Sequence, residues 1–486
     1  MTANTTSSLR TSDYIMNYVY EQGVKHVFTV TGRGALFLTD GLAKHKDLQG
    51  ICTHHEQAAA YAAVAYAQYN DNLGACLVST GCACTNTLTG VLSAWQDGIP
   101  VIFISGQNTL AETSRFTGHK VRTYGQQEAD IIEMVEPITK YAVMITDATK
   151  IRFEVEKAIH LAKSGRKGPV WIDIPLDVQS TRVIPEEQEG YLPEKTNENY
   201  LIEIDIKETA ELLNDANRPA ILIGSGVRSA SAVEELSRLV EDNQIPLLYT
   251  GSAPDTYGSD EKLSIGSIGS MGCSRAGNFT LQNADLLIVI GNRLSTITTG
   301  PDYCKFAREA KIVVVDVDPV EHSKNTIEIY KIIEADAKVF LNQLLRQPIK
   351  KVDKDWVNKC LHWKKKFSSP EFNYKQTEEV NLYHLSEVLS KKMPAESVFA
   401  SDSGYIEVIL PTNINFKKGQ RIVHPASQGA MGYALPAAIG AYYGSGKLPV
   451  IAVIGDGSIM MNIQEFETIR YNKIPLKVFV INNNAY

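Results

Sequence analysis

Two short polar groups near the C-terminus, each directly after an apolar run, constrain the fold most strongly. Gly455-Asp456-Gly457 follows the apolar run 450–454, and Asn482-Asn483-Asn484 follows the run 476–481. The segment between them, residues 461–471, has the apolar spacing of a helix. Strand, turn, helix and strand in this order predict one βαβ unit, with both polar groups at the carboxyl ends of parallel strands.

The predicted helix has an apolar face made of Ile463, Phe466 and Ile469. Ligands of open α/β sheets bind at the carboxyl ends of the strands, and a helix N-terminus behind two glycines suits a phosphate. Asp456 and the Asn cluster supply hard oxygen atoms, which suit a Mg²⁺ that also binds a diphosphate. The alternative is a structural turn, with Asp456 as a helix N-cap and the asparagines as turn residues.

Strands alternate with helices along the whole chain of 486 residues, which predicts an α/β protein with three doubly wound parallel-sheet domains. The expected boundaries are 1–185, 195–347 and 380–486, separated by a polar linker at 186–199 and a charged connector at 348–380. The chain ends just after a ligand turn, where a helix is needed to cover the sheet. We therefore expect the third domain to be incomplete at its C-terminus.

The composition excludes several classes of partner. Lys and Arg number 48 against 55 Asp and Glu, a net charge of −7, which argues against nucleic acid or an anionic membrane. The N-terminus lacks the apolar core of a signal peptide, and the most membrane-like run, residues 58–67, is too short to span a bilayer. Seven cysteines without a CxxC pair fit a reducing cytosol, so a cytoplasmic location is predicted.

Glu56 is the second candidate functional residue. It lies between a short predicted strand, residues 51–53, and an Ala-rich helix, residues 58–68. A carboxylate among apolar groups has a raised pKa, as general acid–base chemistry requires. The alternative is a helix-start glutamate stabilised by the helix dipole. For His54 and His55, catalysis and packing both stay open.

Taken together, four segments resemble the thiamine diphosphate (ThDP) enzyme family, in its acetolactate synthase and pyruvate oxidase branch. They are His55-Glu56-Gln57-Ala58-Ala59, residues 168–179, residues 429–440, and Gly455-Asp456-Gly457 followed by Asn482-Asn483. The resemblance covers nearly the whole chain in order. It implies the three-domain architecture of these enzymes, with the ThDP pyrimidine bound by the first domain and the diphosphate by the third.

The resemblance also implies roles for individual residues at the diphosphate end. The carboxylate of Asp456, the amide oxygen of Asn483 and the backbone carbonyl of Ala485 would hold Mg²⁺. The backbone N–H groups of Gly457 and Ser458 would bind the diphosphate. The implied cofactor-binding set is Gly429, Met431, Gly455, Gly457, Ser458 and Asn483.

At the other end of the cofactor, the Gly429 carbonyl and the Met431 amide would bind the aminopyrimidine, and Met431 would support the bent shape of ThDP. Glu56 would hydrogen-bond the pyrimidine ring nitrogen. Gly32 and Gln127 complete the implied catalytic set. Because Glu56 reaches the cofactor from the partner subunit in this family, the resemblance implies a homodimer or homotetramer with active sites at the subunit interface.

The middle domain resembles the version that binds FAD in this branch. Whether this chain binds FAD stays open. The Asp-Asp-Arg that commonly follows Gly291-Asn292-Arg293 is replaced by Ser295-Thr296-Ile297. The acceptor pocket differs as well: a family tryptophan is Ile409 here, and a family phenylalanine is Gln126. These departures favour a larger or more polar acceptor.

The sequence thus predicts decarboxylation of a 2-oxo acid, pyruvate by default, and transfer of the two-carbon unit to a carbonyl acceptor, as in acetolactate synthases. One alternative is a related carboligase that uses another acceptor, such as a keto sugar. A second is a non-catalytic homologue. A third, a nicotinamide dehydrogenase, rests only on Gly224-Ser225-Gly226.

Overall fold

Three sheets form the framework of the protein, as the sequence predicts. A computed structural model describes residues 8–193, 203–368 and 378–484. The chain divides into two compact units. The first comprises Met1–Lys195, Val398–Ser403 and Val423–Tyr486, and the second comprises Thr196–Ser397 and Gly404–Ile422.

The N-terminal sheet has six parallel strands in the order β3-β2-β4-β5-β7-β6. Its strands β4, β5 and β7 are buried along their whole length, as expected for a parallel sheet covered by helices on both faces. The strands of this region are β1 (Leu9–Arg10), β2 (His26–Thr29), β3 (Gln49–Cys52), β4 (Gly74–Val78), β5 (Val101–Gln107), β6 (Tyr141–Met144), β7 (Val170–Pro175) and β8 (Arg182–Val183). Its helices are α1 (Thr11–Glu21), α2 (Leu36–Lys44), α3 (Glu56–Asn70), α4 (Cys82–Thr85), α5 (Leu88–Asp97), α6 (Ser114–Thr117), α7 (Ile131–Val135), α8 (Ile151–Lys163) and α9 (Leu176–Ser180).

The middle sheet also has six parallel strands, in the order β11-β10-β9-β12-β13-β14. The strands are β9 (Pro219–Ile223), β10 (Leu247–Tyr249), β11 (Ser264–Ser267), β12 (Leu286–Ile290), β13 (Lys311–Asp316) and β14 (Lys331–Glu334). The helices are α10 (Glu203–Asp215), α11 (Gly226–Ser229), α12 (Val233–Asn243), α13 (Arg275–Asn283), α14 (Thr296–Thr299), α15 (Ala337–Leu344), α16 (Lys354–Lys366) and α17 (Leu382–Lys392).

The C-terminal sheet has four strands in the order β16-β15-β17-β18, and β17 is parallel to both β15 and β18. Its strands are β15 (Ser397–Ala400), β16 (Gln420–Val423), β17 (Val450–Gly455) and β18 (Lys477–Ile481). Its helices are α18 (Tyr405–Asn413), α19 (Ala434–Gly444), α20 (Asp456–Ile459) and α21 (Glu465–Tyr471). The predicted βαβ unit is therefore present, with β17 and β18 as its strands.

Helices α3 and α19 pack together in the core of the first unit, and small side chains allow them to approach closely. Every residue of α3 from Ala58 to Ala67 is buried. A Cβ atom on Gly440 of α19 would lie 2.0 Å from the carbonyl oxygen of Ala62. The Ala-rich sequence of α3 is therefore explained by a close helix–helix contact.

The predicted apolar face of the helix between β17 and β18 is wrong at two of its three positions, and only Ile469 is partly buried against the apolar core. Ile463 and Phe466 are exposed, at 44% and 40% of their surface, whereas Asn462 and Glu465 are completely buried. Polar contacts of Asn462 and Glu465, together with the packing of Ile469, therefore orient this segment, and α21 begins only at Glu465. The hydrophobic spacing predicted the wrong inward face at these positions. The buried polar side chains are satisfied by long-range hydrogen bonds, which cannot be read from the sequence.

The connector predicted at 348–380 contains helix α16, which packs on the middle sheet. The indole N–H of Trp356 donates to the carbonyl of Pro219 at 3.0 Å. The described residues exclude part of the connector, 369–377, and the end of the linker, 194–202. The domain boundaries therefore stay predictions. Within the described residues no helix is both long and apolar enough to cross a membrane, and all seven cysteines are free.

Candidate functional site

The structure brings the two polar groups of the C-terminal βαβ unit together. The Asp456 carboxylate accepts a hydrogen bond from the backbone N–H of Asn484 at 3.0 Å, and the same N–H lies 3.2 Å from the side-chain oxygen of Asn482. Asn483 lies between these two residues, whereas Ala485, the third predicted metal ligand, is outside the described residues. A carboxylate and amide oxygens thus gather at adjacent strand ends, which is the donor set that Mg²⁺ prefers.

Backbone donors lie beside these oxygen ligands. Gly455 is the last residue of β17, and the four-residue helix α20 starts at the next position. The N–H groups of Gly457 and Ser458 belong to its first turn, where helical N–H groups have no intrahelical partner. Donors at this end of a helix suit negatively charged oxygen atoms, such as those of a diphosphate.

A buried aspartate joins this turn to the segment that contains Met431. The Asp402 carboxylate is fully buried and accepts hydrogen bonds from the N–H groups of Gly432, at 3.3 Å, and Ala434, at 2.7 Å. It also accepts the hydroxyl proton of Ser458, whose oxygen in turn accepts the Gly432 N–H at 2.7 Å. Burial raises the pKa of Asp402, and the hydrogen bonds from Ala434 and Ser458 oppose that rise.

Met431 lies between two glycines that adopt the left-handed backbone conformation. Gly429 has φ +58° and Gly432 has φ +77°, and a Cβ atom on Gly432 would lie 2.7 Å from the Cβ of Met461. Met431 itself is half-buried. Within the part of the chain that the structure describes, the Gly429 carbonyl and the Met431 N–H have no hydrogen-bond partner. This acceptor and this donor can therefore bind the polar edge of a ligand.

The inward face of α21 connects the same region to the start of α3. Glu465 accepts hydrogen bonds from the backbone N–H of His54, at 3.0 Å, and from the hydroxyl of Thr468, at 2.6 Å. The amide of Asn462 donates to the Gly432 carbonyl at 3.0 Å and to the Gln57 side chain at 3.3 Å. Burial raises the pKa of Glu465, and the hydrogen bonds from Thr468 and His54 oppose this effect.

Glu56 is the first residue of α3 and is half-buried. One of its carboxylate oxygens accepts a hydrogen bond of 2.9 Å from the side-chain amide of Asn86. The preceding residue, His55, caps the helix, because its ring nitrogen accepts the N–H of Gln57 at 3.1 Å. Glu56 is thus held at a fixed strand-to-helix turn, and its partner is Asn86 rather than a residue of the Asp456 group.

Gly32 and Gln127 lie in strand-end loops that approach each other at backbone distance. A Cβ on Gly32 would lie 2.4 Å from the Ser79 hydroxyl, and a Cβ on Gly81 would lie 1.8 Å from the Gln127 carbonyl oxygen. Gln127 has φ +58°, an uncommon backbone conformation for a residue with a side chain. The loops after β2, β4 and β5 therefore form one closely packed edge.

The described residues contain no group of three or more His, Cys, Asp or Glu side chains that could hold a metal ion. The predicted Mg²⁺ ligands are one carboxylate, one amide and one backbone carbonyl, so they need no such group.

Sequence reasoning assigned no role to Asp402, Asn462 or Glu465. One signal could have indicated Asp402, because it follows the buried strand β15 just as Asp456 follows β17. For Asn462 and Glu465 there was no such signal, because the apolar spacing of the neighbouring residues predicted that these two side chains face the solvent.

Three family models match successive parts of the chain. "Thiamine pyrophosphate enzyme, N-terminal TPP binding domain" matches residues 9–134, the central domain matches 206–344, and the C-terminal TPP binding domain matches 402–486. The chain is also 32% identical to acetolactate synthase 2, chloroplastic, of Zea mays, over 97% of this chain and 73% of that protein.

The chain belongs to the thiamine pyrophosphate enzyme family. Two further relatives show that it is an acetolactate synthase-like, ThDP-dependent enzyme. The probable acetolactate synthase large subunit of Methanocaldococcus jannaschii is 33% identical, over 98% of this chain and 80% of that protein. The acetolactate synthase isozyme 1 large subunit of Escherichia coli (strain K12) is 30% identical, over 100% of this chain and 83% of that protein.

The residues of this thiamine pyrophosphate enzyme fit its cofactor at both ends. Side-chain oxygen atoms and the N–H groups of a first helical turn gather at Asp456–Ile459 and the Asn cluster. Among the described residues the Gly429 carbonyl and the Met431 N–H have no hydrogen-bond partner, so they could accept from and donate to an aminopyrimidine.

Proposed function

We propose that this enzyme decarboxylates a 2-oxo acid, pyruvate in the first instance, and transfers the two-carbon unit to a carbonyl acceptor. One observation carries the proposal: the Asp402 carboxylate hydrogen-bonds both the segment 432–434 and Ser458. It thereby fixes the distance between the Met431 segment and the diphosphate turn, which must bind two ends of one cofactor. The relatives named acetolactate synthase support this choice of reaction.

Mg²⁺ and the diphosphate would be held by the groups at the ends of β17 and β18. Asp456 and Asn483, with Ala485, supply oxygen ligands for the cation, and the N–H groups of Gly457 and Ser458 face the negative charge. The Asn484 N–H hydrogen-bonds the Asp456 carboxylate at 3.0 Å and restricts its rotation. A carboxylate that is already oriented loses less conformational freedom when the metal binds.

ThDP, when bound, supplies the electron sink that decarboxylation of a 2-oxo acid requires. With ThDP bound, Glu56 would exchange a proton with the cofactor ring. The Asn86 amide anchors one oxygen of that carboxylate at 2.9 Å, so that the other oxygen could face the cofactor. Gly32 and Gln127 complete the proposed catalytic set. Gly32 lies against Ser79 and Gln127 lies against Gly81, and these two close approaches fix the loops at this edge.

We further propose a homodimer or homotetramer with active sites at the subunit interface. The turn after α20 and the start of α21 expose a set of large apolar side chains, Met460, Met461, Ile463 and Phe466. A patch of this kind beside a cofactor site is typical of a protein–protein interface. Light scattering coupled to gel filtration measures the mass, and a monomer at micromolar concentration contradicts the proposal.

FAD in the middle domain is a separate proposal. A Cβ on Gly226 would lie 2.6 Å from the Cα of Gly291, so these glycines are needed for contact between two turns whether or not a flavin binds. FAD therefore rests on the resemblance alone. The absorption spectrum of the purified protein tests it, because bound flavin gives a visible band.

The reaction is tested by incubating the protein with ThDP, Mg²⁺, pyruvate and a panel of carbonyl acceptors, followed by mass spectrometry of the products. We expect a product that contains the acceptor plus a two-carbon unit. Consumption of pyruvate without such a product supports decarboxylation but rejects transfer of the two-carbon unit to an acceptor. No consumption of pyruvate or another 2-oxo acid supports a non-catalytic homologue.

A further inference from the structure

A basic loop lies beside the edge that contains Gly32 and Gln127. We define it as residues 118–127, which connect α6 to the segment before α7. It contains His119, Lys120 and Arg122 but no Asp or Glu, in a chain whose net charge is −7. All three side chains are exposed. The positive potential of such a loop attracts anions to the adjacent strand ends.

Arg33 adds a second cationic group at this edge, on a different loop. It begins the short helix Arg33–Ala35 that follows β2, and its guanidinium donates to the side-chain oxygen of Gln126 at 2.7 Å. Both side chains are exposed. Within the described residues no carboxylate pairs with Arg33. The bond orients the guanidinium and leaves its other N–H groups and the Gln126 amide N–H groups as donors.

The loop is fixed by contacts that do not involve Arg33. The Gln126 carbonyl accepts a hydrogen bond from the Asn108 side chain at 3.0 Å. The buried Glu128 carboxylate accepts the N–H of Ser114 at 3.0 Å and that of Tyr124 at 2.8 Å. Because these contacts already hold the loop, a purely structural role for the exposed Arg33–Gln126 pair is redundant. The pair is a set of preorganised donors at a ligand-binding edge.

We propose that Arg33 and Gln126 bind the anionic group of the acceptor, a carboxylate or a phosphate. The proposal rests on the proposed function and defines the acceptor class for that site. A guanidinium presents its N–H groups as a planar fork that matches both anions, and charge-assisted hydrogen bonds of this kind are strong. Arg33 and Gln126 determine which acceptor binds; they do not take part in decarboxylation.

Binding of matched probes tests the proposal without turnover. Calorimetry on the full chain compares dihydroxyacetone phosphate with dihydroxyacetone, which lacks only the phosphate, and 2-oxobutanoate with butanone, which lacks the carboxylate. We expect one anionic probe to bind at least about tenfold more tightly than its neutral partner. The probe pair whose two members differ in affinity identifies the bound anion as a phosphate or a carboxylate. Equal affinity within both pairs overturns the proposal.

Variants then locate the binding. Arg33→Met is expected to weaken binding of the preferred anion by about ten- to hundredfold, and Arg33→Lys by less, because lysine keeps the charge but not the fork. Gln126→Leu is expected to weaken it by a smaller factor. Arg308→Met, which removes an exposed arginine from the middle domain, is the control for net charge. Unchanged melting temperatures establish that each variant folds. If Arg33→Met binds the anion as the unmodified protein does, the proposal is wrong.

Kinetics separate this proposal from the proposed function. In Arg33→Met we expect a raised KM for the anionic acceptor, whereas the first CO₂ per active site, which requires pyruvate only as the donor, is released at an unchanged rate. Loss of CO₂ release in this variant contradicts a role limited to the acceptor. If the unmodified protein releases no CO₂, the proposed function fails, and the binding comparison still decides the role of Arg33.

Discussion

The buried Asp402 carboxylate accepts a 2.7 Å hydrogen bond from the backbone N–H of Ala434, the first residue of α19. Through the same carboxylate it binds the N–H of Gly432 and the hydroxyl of Ser458. These three residues belong to two segments that the family resemblance assigns to opposite ends of ThDP. The aspartate is therefore a structural link within the cofactor site rather than a turn residue.

Replacing Asp402 by Ala is expected to affect both folding and cofactor binding. The change leaves the buried N–H of Ala434 and the buried hydroxyl of Ser458 without their acceptor, which costs about 2–4 kcal/mol. We expect a fall in melting temperature of about 5 °C or more and ThDP binding at least about tenfold weaker. Differential scanning fluorimetry and a ThDP titration measure the two effects. Asp47→Ala, at an exposed position in the same unit, is the control. An Asp402→Ala protein with normal stability and ThDP affinity rules out the link.

Glu56→Gln tests the proposed proton-holding carboxylate. Glutamine keeps the shape and the bond to Asn86 but cannot exchange a proton. We expect ThDP to bind while exchange of its C2 proton slows by about a hundredfold or more, as measured by quenched deuterium exchange and NMR. Glu133→Gln, on the exposed surface of α7, should exchange normally. Equal exchange rates in both variants would remove Glu56 from the catalytic set.

Asp456→Ala tests the metal assignment. The unmodified protein should bind ThDP more tightly when Mg²⁺ is present, and EDTA should reverse the difference. In the variant we expect ThDP affinity to fall at least about tenfold and to become insensitive to Mg²⁺, because the only carboxylate of the proposed ligand set is lost. Fluorescence quenching by ThDP, with and without Mg²⁺, measures both affinities. Continued Mg²⁺ dependence in Asp456→Ala would mean that other residues hold the metal.

Asp173 predicts a specific dependence of stability on pH. It is buried in β7, and burial raises its pKa from 3.8 to about 7, whereas hydrogen bonds from Ser105 and Gln107 oppose the rise. Between about pH 4 and 7 the folded protein therefore holds one more proton than the unfolded chain at this residue. Its contribution to the free energy of unfolding is present below pH 4 and is lost as pH rises through 7.

Asp173→Asn removes this titration. The difference in melting temperature between the variant and the unmodified protein is expected to shift in favour of the variant as pH rises from about 4 to 7, and to level off above 7. Asp47→Asn, at an exposed position in the same unit, is the control. A flat difference for Asp173→Asn would show that the Asp173 carboxyl has the same pKa in both states.

The order of strands and the residues at their ends could be predicted from sequence, because each buried strand is a continuous apolar run followed by a polar turn. Asp456 and Glu56 were found in this way. Asp402 was not, because its partners Gly432 and Ser458 lie 30 and 56 positions away, and an isolated aspartate after a strand also fits a turn. The inward polar residues Asn462 and Glu465 were missed because two of the three apolar residues that predicted the inward face, Ile463 and Phe466, are exposed.

Release of CO₂ from carboxyl-labelled pyruvate distinguishes a ThDP-dependent decarboxylase from a non-catalytic homologue. The protein is incubated with Mg²⁺ and labelled pyruvate, with and without ThDP, and the labelled CO₂ is quantified alongside the Glu56→Gln and Asp456→Ala variants. We expect release that requires ThDP and falls by about a hundredfold or more in Glu56→Gln. Absence of release with ThDP, or release that is the same without ThDP or in Glu56→Gln, would contradict it.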